Sequence, residues 1–288
     1  VFRNKNLYWS NYIDYTYEDV SYYRYYINTG AIRLSSDKLI TYIYNGGIQN
    51  DSIETINNYS YENPLHLYPT KITTITSDPT KSIITNNKYV QDITFSGTAE
   101  QARQNLIQNG RIKSLMEQVK TVGSHNEKQI YNYKVFDGSA MLELIQFQKA
   151  NGTLESRVLY HGYDSYGNPL EVSKADGPHI FYLWGYHGQY PIAKIENTTK
   201  TALENVLGDL KEVNESDLQS INNLRSNSAF KEAMITTFTY KPLVGMTVMT
   251  DPRGRTTTYE YDDFGRLEIV KDHEGKLLEE YEYHYKGE

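Results

Sequence analysis

Along the first 95 residues, aromatic and β-branched positions come in short runs separated by turn residues. Tyr22-Tyr23-Arg24-Tyr25-Tyr26-Ile27, Leu39-Ile40-Thr41-Tyr42-Ile43-Tyr44, Ile53-Glu54-Thr55-Ile56 and Thr70 to Thr76 read as strands. Asn28-Thr29-Gly30, Asn45-Gly46-Gly47, Asn57-Asn58, Asn63-Pro64, Asp78-Pro79 and Asn86-Asn87 read as turns between them. The breaks are close and even. That spacing predicts a meander of hairpins, because parallel strands need crossovers of roughly a dozen residues or more.

Helical spacing interrupts the pattern twice. Thr98-Ala99-Glu100-Gln101 has the form of a capping box; Ala99, Ala102, Leu106 and Ile107 share a face, and Gly110 marks a stop. Strands resume at Ser114–Val122, Gln129–Phe136, Met141–Phe147 and Glu155–Tyr160. Thr201-Ala202-Leu203-Glu204 is a second capping box, with Leu203, Val206, Leu207, Leu210 and Val213 at helical intervals. Ser216-Asp217-Leu218-Gln219 begins another helix carrying Leu218, Ile221 and Leu224, so residues 199–235 read as a helical hairpin set between strands. From Thr236 to Lys286 the strand pattern returns.

The strongest signal is self-similarity. Tyr163-Asp164-Ser165-Tyr166-Gly167 and Tyr261-Asp262-Asp263-Phe264-Gly265 share the pattern Tyr-Asp-x-aromatic-Gly. Each leads after ten residues to another glycine, Gly177 and Gly275, and then to an aromatic strand, one of them containing Trp184. A looser copy runs from Gly245 through Asp251-Pro252-Arg253-Gly254 to Tyr261. The implied unit holds two strands and two turns in about 20 residues. Glycine tolerates positive φ, and the aspartate beside it bonds nearby main-chain N–H groups. Tyrosines at alternate positions, as in Tyr259/Tyr261 and Tyr281/Tyr283/Tyr285, put rings on one strand face. One hairpin cannot bury such a face, so the units make sense only in series. The fold expected is mostly β: repeated hairpins in a curved or spiralling antiparallel sheet, with short helical insertions near 98–109 and 201–234.

Composition narrows the choice further. Hydrophobic residues make up 39% of the 288, but 28 of them are tyrosine, so only about 29% are other apolar types. Much of the buried surface is therefore expected to be tyrosine ring. Net charge is −7, and residues 251–288 hold eleven acidic and six basic side chains, a run that reads as a solvated face. The acidic balance argues against nucleic acid as a partner, no apolar run reaches membrane-span length, and the absence of cysteine removes disulfides and thiolate chemistry. The chain starts at Val1 with no signal-peptide pattern and reads as processed or as part of something longer.

Candidate chemistry is sparse. The histidines are His66, His125, His161, His179, His187, His273 and His284, with no close ligand pair among them. His179 and His187 flank the Trp184 strand and converge with His161 if hairpins stack. There is no nucleophile elbow and no phosphate loop. Neighbouring carboxylates such as Asp262/Asp263 and Glu279/Glu280 point to opposite strand faces and make no acid–base pair. No catalytic residue, cofactor or metal site is expected. The density of Tyr22, Tyr23, Tyr25 and Tyr26 raises sugar stacking as a lesser option.

The two Tyr-Asp-x-aromatic-Gly units resemble the YD repeats of RHS-repeat proteins. The stretch from Tyr182 to Asn197, and Pro242-Leu243-Val244-Gly245-Met246 running on to Asp251-Pro252-Arg253-Gly254-Arg255-Thr256, are similar to the C-terminal region of RHS proteins of Bacteroidota type. The close resemblance covers about Glu155–Lys286; residues 1–154 match in texture only. It implies a sheet that spirals into a hollow shell, and relatives that enclose a toxin, display adhesive surfaces or serve at the cell surface. In toxin-bearing members the shell ends at an Asp-Pro-x-Gly cleavage signature. Here Arg255 stands where a hydrophobic residue belongs and another repeat follows, so Asp251-Pro252-Arg253-Gly254 reads as a hairpin turn, with no room left for a toxin.

The domain plan expected is a Tyr-rich repeat region 1–154, a YD region 155–198, the helical insertion 199–235 and C-terminal repeats 236–288. The repeat motif is carried by Tyr163, Asp164, Gly167, Gly177, Trp184, Gly245, Asp251, Pro252, Gly254, Tyr261, Asp262, Gly265 and Gly275. The function expected is non-enzymatic: a structural segment of a secreted or cell-surface shell. Its partners are preceding repeats of its own longer chain and outer-membrane export or surface proteins, without a membrane span. Alternatives are a shell component enclosing a toxic domain absent here, and a carbohydrate-binding surface module. Open strand edges would make this stretch associate on its own.

Overall fold

The computed structural model describes residues 32–45, 48–78 and 81–284. They form one sheet of sixteen strands in chain order, every neighbouring pair antiparallel. The strands are β1 (Ser36–Asn45), β2 (Ile48–Ser60), β3 (Lys71–Thr76), β4 (Ile83–Tyr89), β5 (Leu115–Val122), β6 (His125–Phe136), β7 (Ser139–Lys149) and β8 (Glu155–Tyr163). They continue as β9 (Pro169–Lys174), β10 (His179–Gly185), β11 (Tyr190–Glu196), β12 (Met234–Lys241), β13 (Gly245–Thr250), β14 (Thr256–Tyr261), β15 (Leu267–Lys271) and β16 (Leu277–Glu280). The meander is as expected. The Tyr22–Ile27 strand and Asn28-Thr29-Gly30 turn lie outside the described residues, as does the cluster proposed for sugar stacking.

Two expected turns are strand interiors. Asn57 and Asn58 sit within β2, opposite Asp37 and Ser36 on one side and Thr74 and Thr73 on the other. Asn86 and Asn87 sit within β4. One amide of each pair is bonded across the sheet: Asn57 Nδ2 donates to Asp37 (3.2 Å), Thr74 Oγ1 donates to Asn57 Oδ1 (2.7 Å), and Gln118 Nε2 donates to Asn87 Oδ1 (2.9 Å). Asparagine signals a turn because its side chain bonds local backbone; here neighbouring strands supply the partners instead.

The helices fall near the expected positions with different caps. α1 (Gly97–Gln108) starts at Ser96, which makes no side-chain cap; Glu100 accepts from the Phe95 N–H (3.0 Å) instead. Ala102, Arg103 and Leu106 are buried and Ala99 is exposed. α2 (Lys200–Leu207) is capped by Thr199, two residues before the expected box, its side chain accepting from Ala202 N–H. The next capping box belongs to Asn214 and Asp217 around a single 3-10 turn that leads into α3 (Leu218–Asn223). The insertion is thus a two-turn helix followed by short pieces, not a hairpin of two full helices.

The largest core lies between this insertion and the sheet. Phe181, Leu183, Ile192, Ala193, Ile195 and Ile235 from β10–β12 pack with Leu203, Leu210, Val213, Ile221, Leu224 and Phe230. A smaller core joins α1 to the sheet through Val90, Ala102, Leu106, Met116 and Ala140. The expected tyrosine interior is not found: Tyr89 and Tyr163 are the buried tyrosines among the described residues, and the rest of the core is mainly aliphatic. Elsewhere cross-strand polar pairs hold the sheet, which is how so little apolar mass spans sixteen strands.

Candidate functional site

The repeating device has two parts, both near strand ends. The first is the aspartate turn. At Asp164, Asp251, Asp262 and Asp272 the same bonds recur: the aspartate N–H donates to the carbonyl four residues on, and the glycine N–H three residues on donates back. Oδ1 accepts two further N–H groups, from residues two and four positions later. Gly167, Gly254, Gly265 and Gly275 take the position of positive φ. Three of these carboxyls are held below the ordinary range, first by the main-chain N–H of Arg255 on Asp251, of Arg266 on Asp262 and of Lys276 on Asp272. The Asp251 Oδ2 also receives Arg255 Nη2 (2.7 Å). Asp251-Pro252 therefore stands in a turn built like its neighbours, its carboxylate taken up by that turn.

Asp272 is not among the motif residues, because a unit aligned on its glycines gives that aspartate no special place. That alignment also pairs Gly177 with Gly275, yet the two occupy different turns. At 174–177 it is Asp176 that has positive φ, and Gly177 N–H donates to Lys174 O (3.1 Å).

The second part is an aromatic anchor. Near the end of each even-numbered strand except β12, an aromatic side chain donates to a main-chain oxygen near the start of the preceding strand. Tyr61 reaches Leu34 O (2.9 Å), Tyr89 Pro69 O (3.3 Å), Tyr133 Leu115 O (3.3 Å) and Tyr163 Leu142 O (2.6 Å). Trp184 Nε1 reaches Pro169 O (2.9 Å), Tyr261 Met246 O (2.8 Å) and Tyr283 Leu267 O (2.8 Å). Tyr89, Tyr133, Tyr163, Trp184 and Tyr261 each stand at a register shift toward the next strand. A bulge re-aims the side chain and sharpens the local twist, which lets the ring fold back over its own hairpin. Burial pushes the Tyr163 hydroxyl well above its ordinary range, so it stays a donor. At β12 a cluster replaces the bond: Tyr240 stacks on Tyr190 (4.7 Å) and its N–H donates to the Tyr186 hydroxyl (3.0 Å).

The structure brings His161 and His179 together and leaves His187 in the β10–β11 turn. The two rings stack at 4.6 Å. His161 Nε2 meets Ser173 Oγ (2.9 Å) and His179 Nδ1 meets Glu171 (2.6 Å). Burial, then the neighbouring His179, push the His161 imidazole below its ordinary range. His161, Ser173 and His179 line an open groove of about 890 Å³ edged by Arg157, Lys174 and Asp176. Chemically the relay is interrupted, since Glu171 orients His179 whereas the serine bonds His161. A buried His66, held by Asp92 (3.1 Å) and by the Tyr68 N–H (3.2 Å), ties the β2–β3 connection to the end of β4. No group of three or more His, Asp or Glu among the described residues is arranged to hold a metal, and no helix there is long and apolar enough to cross a membrane.

A row of hairpins, all but one closed by an aromatic anchor and several joined by aspartate turns, defines a β-repeat architecture. Residues 246–276, which contain the Asp251, Asp262 and Asp272 turns and the Tyr261 anchor, match the RHS Repeat family, so this segment carries an RHS repeat. No curated protein matches the chain. Among solved structures, the crystal structure of TcdB2-TccC3-Cdc42 aligns at 11% identity and TM-score 0.33, covering 79% of this chain and 13% of that one. A Tc holotoxin pore from Photorhabdus luminescens aligns at 10% identity and TM-score 0.34, covering 84% and 15%. The chain thus spans a small part of the length of either.

Proposed function

We propose that the chain is a non-enzymatic structural stretch of an RHS-repeat β-shell, secreted or displayed at the cell surface, whose partners are further repeats of a longer chain and surface or export proteins of the envelope. The aromatic anchor carries this reading. It recurs in seven of the eight described hairpins, an aromatic donor each time reaching a main-chain oxygen near the start of the preceding strand, which is what a wall built by repetition needs and what a single active site does not. The interrupted Glu171–His179, His161–Ser173 arrangement supports it from the chemical side.

The test is a panel of ester, glycoside and phosphoester substrates offered to the wild-type chain and to Ser173→Ala and His161→Ala variants. The expected outcome is no turnover by any of them. Turnover by the wild type that Ser173→Ala abolishes, with the fold intact by circular dichroism, overturns the reading.

A further inference from the structure

The stacked pair His161 and His179 takes no part in the anchors or the aspartate turns. It lies in mid-sheet, where β8, β9 and β10 are each paired on both sides. His161 stands at a break in the β8–β9 register, with no residue of β9 opposite it, and His179 opens β10 opposite Ser173. Each ring has one nitrogen engaged: His161 Nε2 with Ser173 Oγ (2.9 Å), His179 Nδ1 with Glu171 (2.6 Å). His161 Nδ1 and His179 Nε2 have no partner among the described residues.

The ring planes lie 20° apart with centroids at 4.6 Å. The in-plane lone pairs of rings so nearly parallel do not converge on one point, so the pair cannot share a metal ion. Protons are another matter, because each one turns a free ring nitrogen into a donor. The other formal charges along the groove cancel, Glu155 and Asp176 against Arg157 and Lys174. Arg157 is paired with Glu155 (2.8 Å), and Lys174 is exposed with no ion pair among the described residues. Glu171 stands behind His179; β10 adds Phe181 (6.5 Å) and β7 puts Phe147 under Arg157 (5.6 Å), both apolar. Protonating both rings therefore leaves the groove with two positive charges, stacked face to face. Burial, then the neighbouring His179, already push the His161 imidazole below its ordinary range. An anion that accepts from both rings removes the repulsion between them.

We propose that His161 and His179, with Lys174 at the edge of the groove, form a site for a tetrahedral oxyanion, a sulfate or phosphate group free or carried on an ester, which binds when both rings are protonated. Its oxygens accept from His161 Nδ1, His179 Nε2 and Lys174 Nζ, three charge-assisted bonds arriving from three consecutive strands. Binding and protonation are then linked, and the linkage is reciprocal: protons tighten the anion, and the anion holds the protons.

The probe is sodium sulfate, compared with sodium chloride at equal ionic strength on the nitrogen-15-labelled full chain. The imidazole resonances give the titration midpoint of each ring. Sulfate is expected to raise the His161 and His179 midpoints by about one pH unit in sum, the counterpart of about tenfold tighter binding to the doubly protonated site. His125 and His273, which do not line the groove, should not move. Lys174→Gln should weaken sulfate about threefold. His179→Gln should halve the proton uptake that accompanies sulfate binding. Glucose 6-sulfate, with glucose as its control, tells an ester from the free anion: tighter binding than sulfate assigns the site to esters, and weaker binding assigns it to the free ion. Midpoints unmoved by both sulfate and glucose 6-sulfate overturn the proposal. Equal shifts at all four histidines also overturn it, since they are the mark of general screening. The wild-type titration decides between these outcomes without any variant having to fold.

Discussion

Tyr261 leans over Gly245 so closely that a β-carbon on the glycine would lie 2.2 Å from the tyrosine hydroxyl. The hydroxyl passes over that backbone to reach Met246 O at 2.8 Å. Gly245 is needed for this approach, not for a left-handed conformation, since its φ is not positive. Gly245→Ala should therefore destabilise the chain by about 1–3 kcal/mol, the usual cost of overpacking. In a Tyr261→Ala background the same change should cost much less, because the clash is gone. A double-mutant cycle by urea denaturation measures the coupling.

The anchor bonds make a graded prediction. Tyr163→Phe keeps the ring and removes only the donor to Leu142 O, so it should cost about 1 kcal/mol plus the penalty of an unpaired carbonyl. Tyr283→Phe, on an exposed anchor where water replaces the lost partner, should cost visibly less. Thermal melts of the two variants check the order.

Acid should loosen the aspartate turns. Asp251, Asp262 and Asp272 are depressed in the folded chain, so their contribution is present above the ordinary carboxyl range near pH 4 and is lost as pH falls through their folded values. The melting temperature should drop below about pH 4, and an Asp251→Asn/Asp262→Asn/Asp272→Asn variant should show a flatter profile. Asp251→Asn alone should leave the intact mass unchanged but for the substitution, whereas a wild-type chain cut at Asp251-Pro252 and spared in the variant would assign that turn to processing.

His161 acts at higher pH. Its folded value lies below the ordinary histidine value of about 6.5, so the unfolded chain takes up the proton first. Its contribution is complete above the unfolded value and is lost as pH falls toward the folded one. His161→Asn should remove that slope from a plot of stability against pH, and the imidazole resonances should show His161 titrating below a free histidine.

Besides its apolar core, the helical insertion is fastened to the β10–β11 turn by a carboxylate. Glu215 accepts the Tyr186 N–H at 2.6 Å, where Tyr186, His187 and Gly188 all have positive φ. Glu215→Ala should speed hydrogen exchange at Tyr186 without unfolding the sheet. Leu224→Ala, in the core beneath, should cost about 2–5 kcal/mol and release the insertion more widely.

The strand runs, the hairpin order and the aspartate turns were legible because each depends on neighbours in sequence. Alternation, a Gly at fixed distance from an Asp, and an aromatic strand after each turn are local facts. The asparagine pairs misled for the same reason: Asn57-Asn58 and Asn86-Asn87 carry a local turn signal, but Asp37 and Thr74 bond the Asn57 amide and Gln118 the Asn87 amide from other strands. The helix caps missed by a residue or two because several hydroxyl and amide side chains compete near each start and packing selects among them.

What the chain determined by itself is the repeated unit, because a hairpin is closed by bonds between residues a few positions apart. What only the tertiary structure decided is how the units are fastened. Trp184 and Tyr261 were marked as motif residues, but their bonds to Pro169 and Met246 span fifteen residues, and those of Tyr61 and Tyr163 more than twenty. Such distances vary with loop length, so no fixed interval announces them. They become uniform only in space, where a bulge near a strand's end turns the ring back over its own hairpin. The stacking of His161 on His179, eighteen positions apart, has the same origin: β8, β9 and β10 must first pair in register before the two rings can meet.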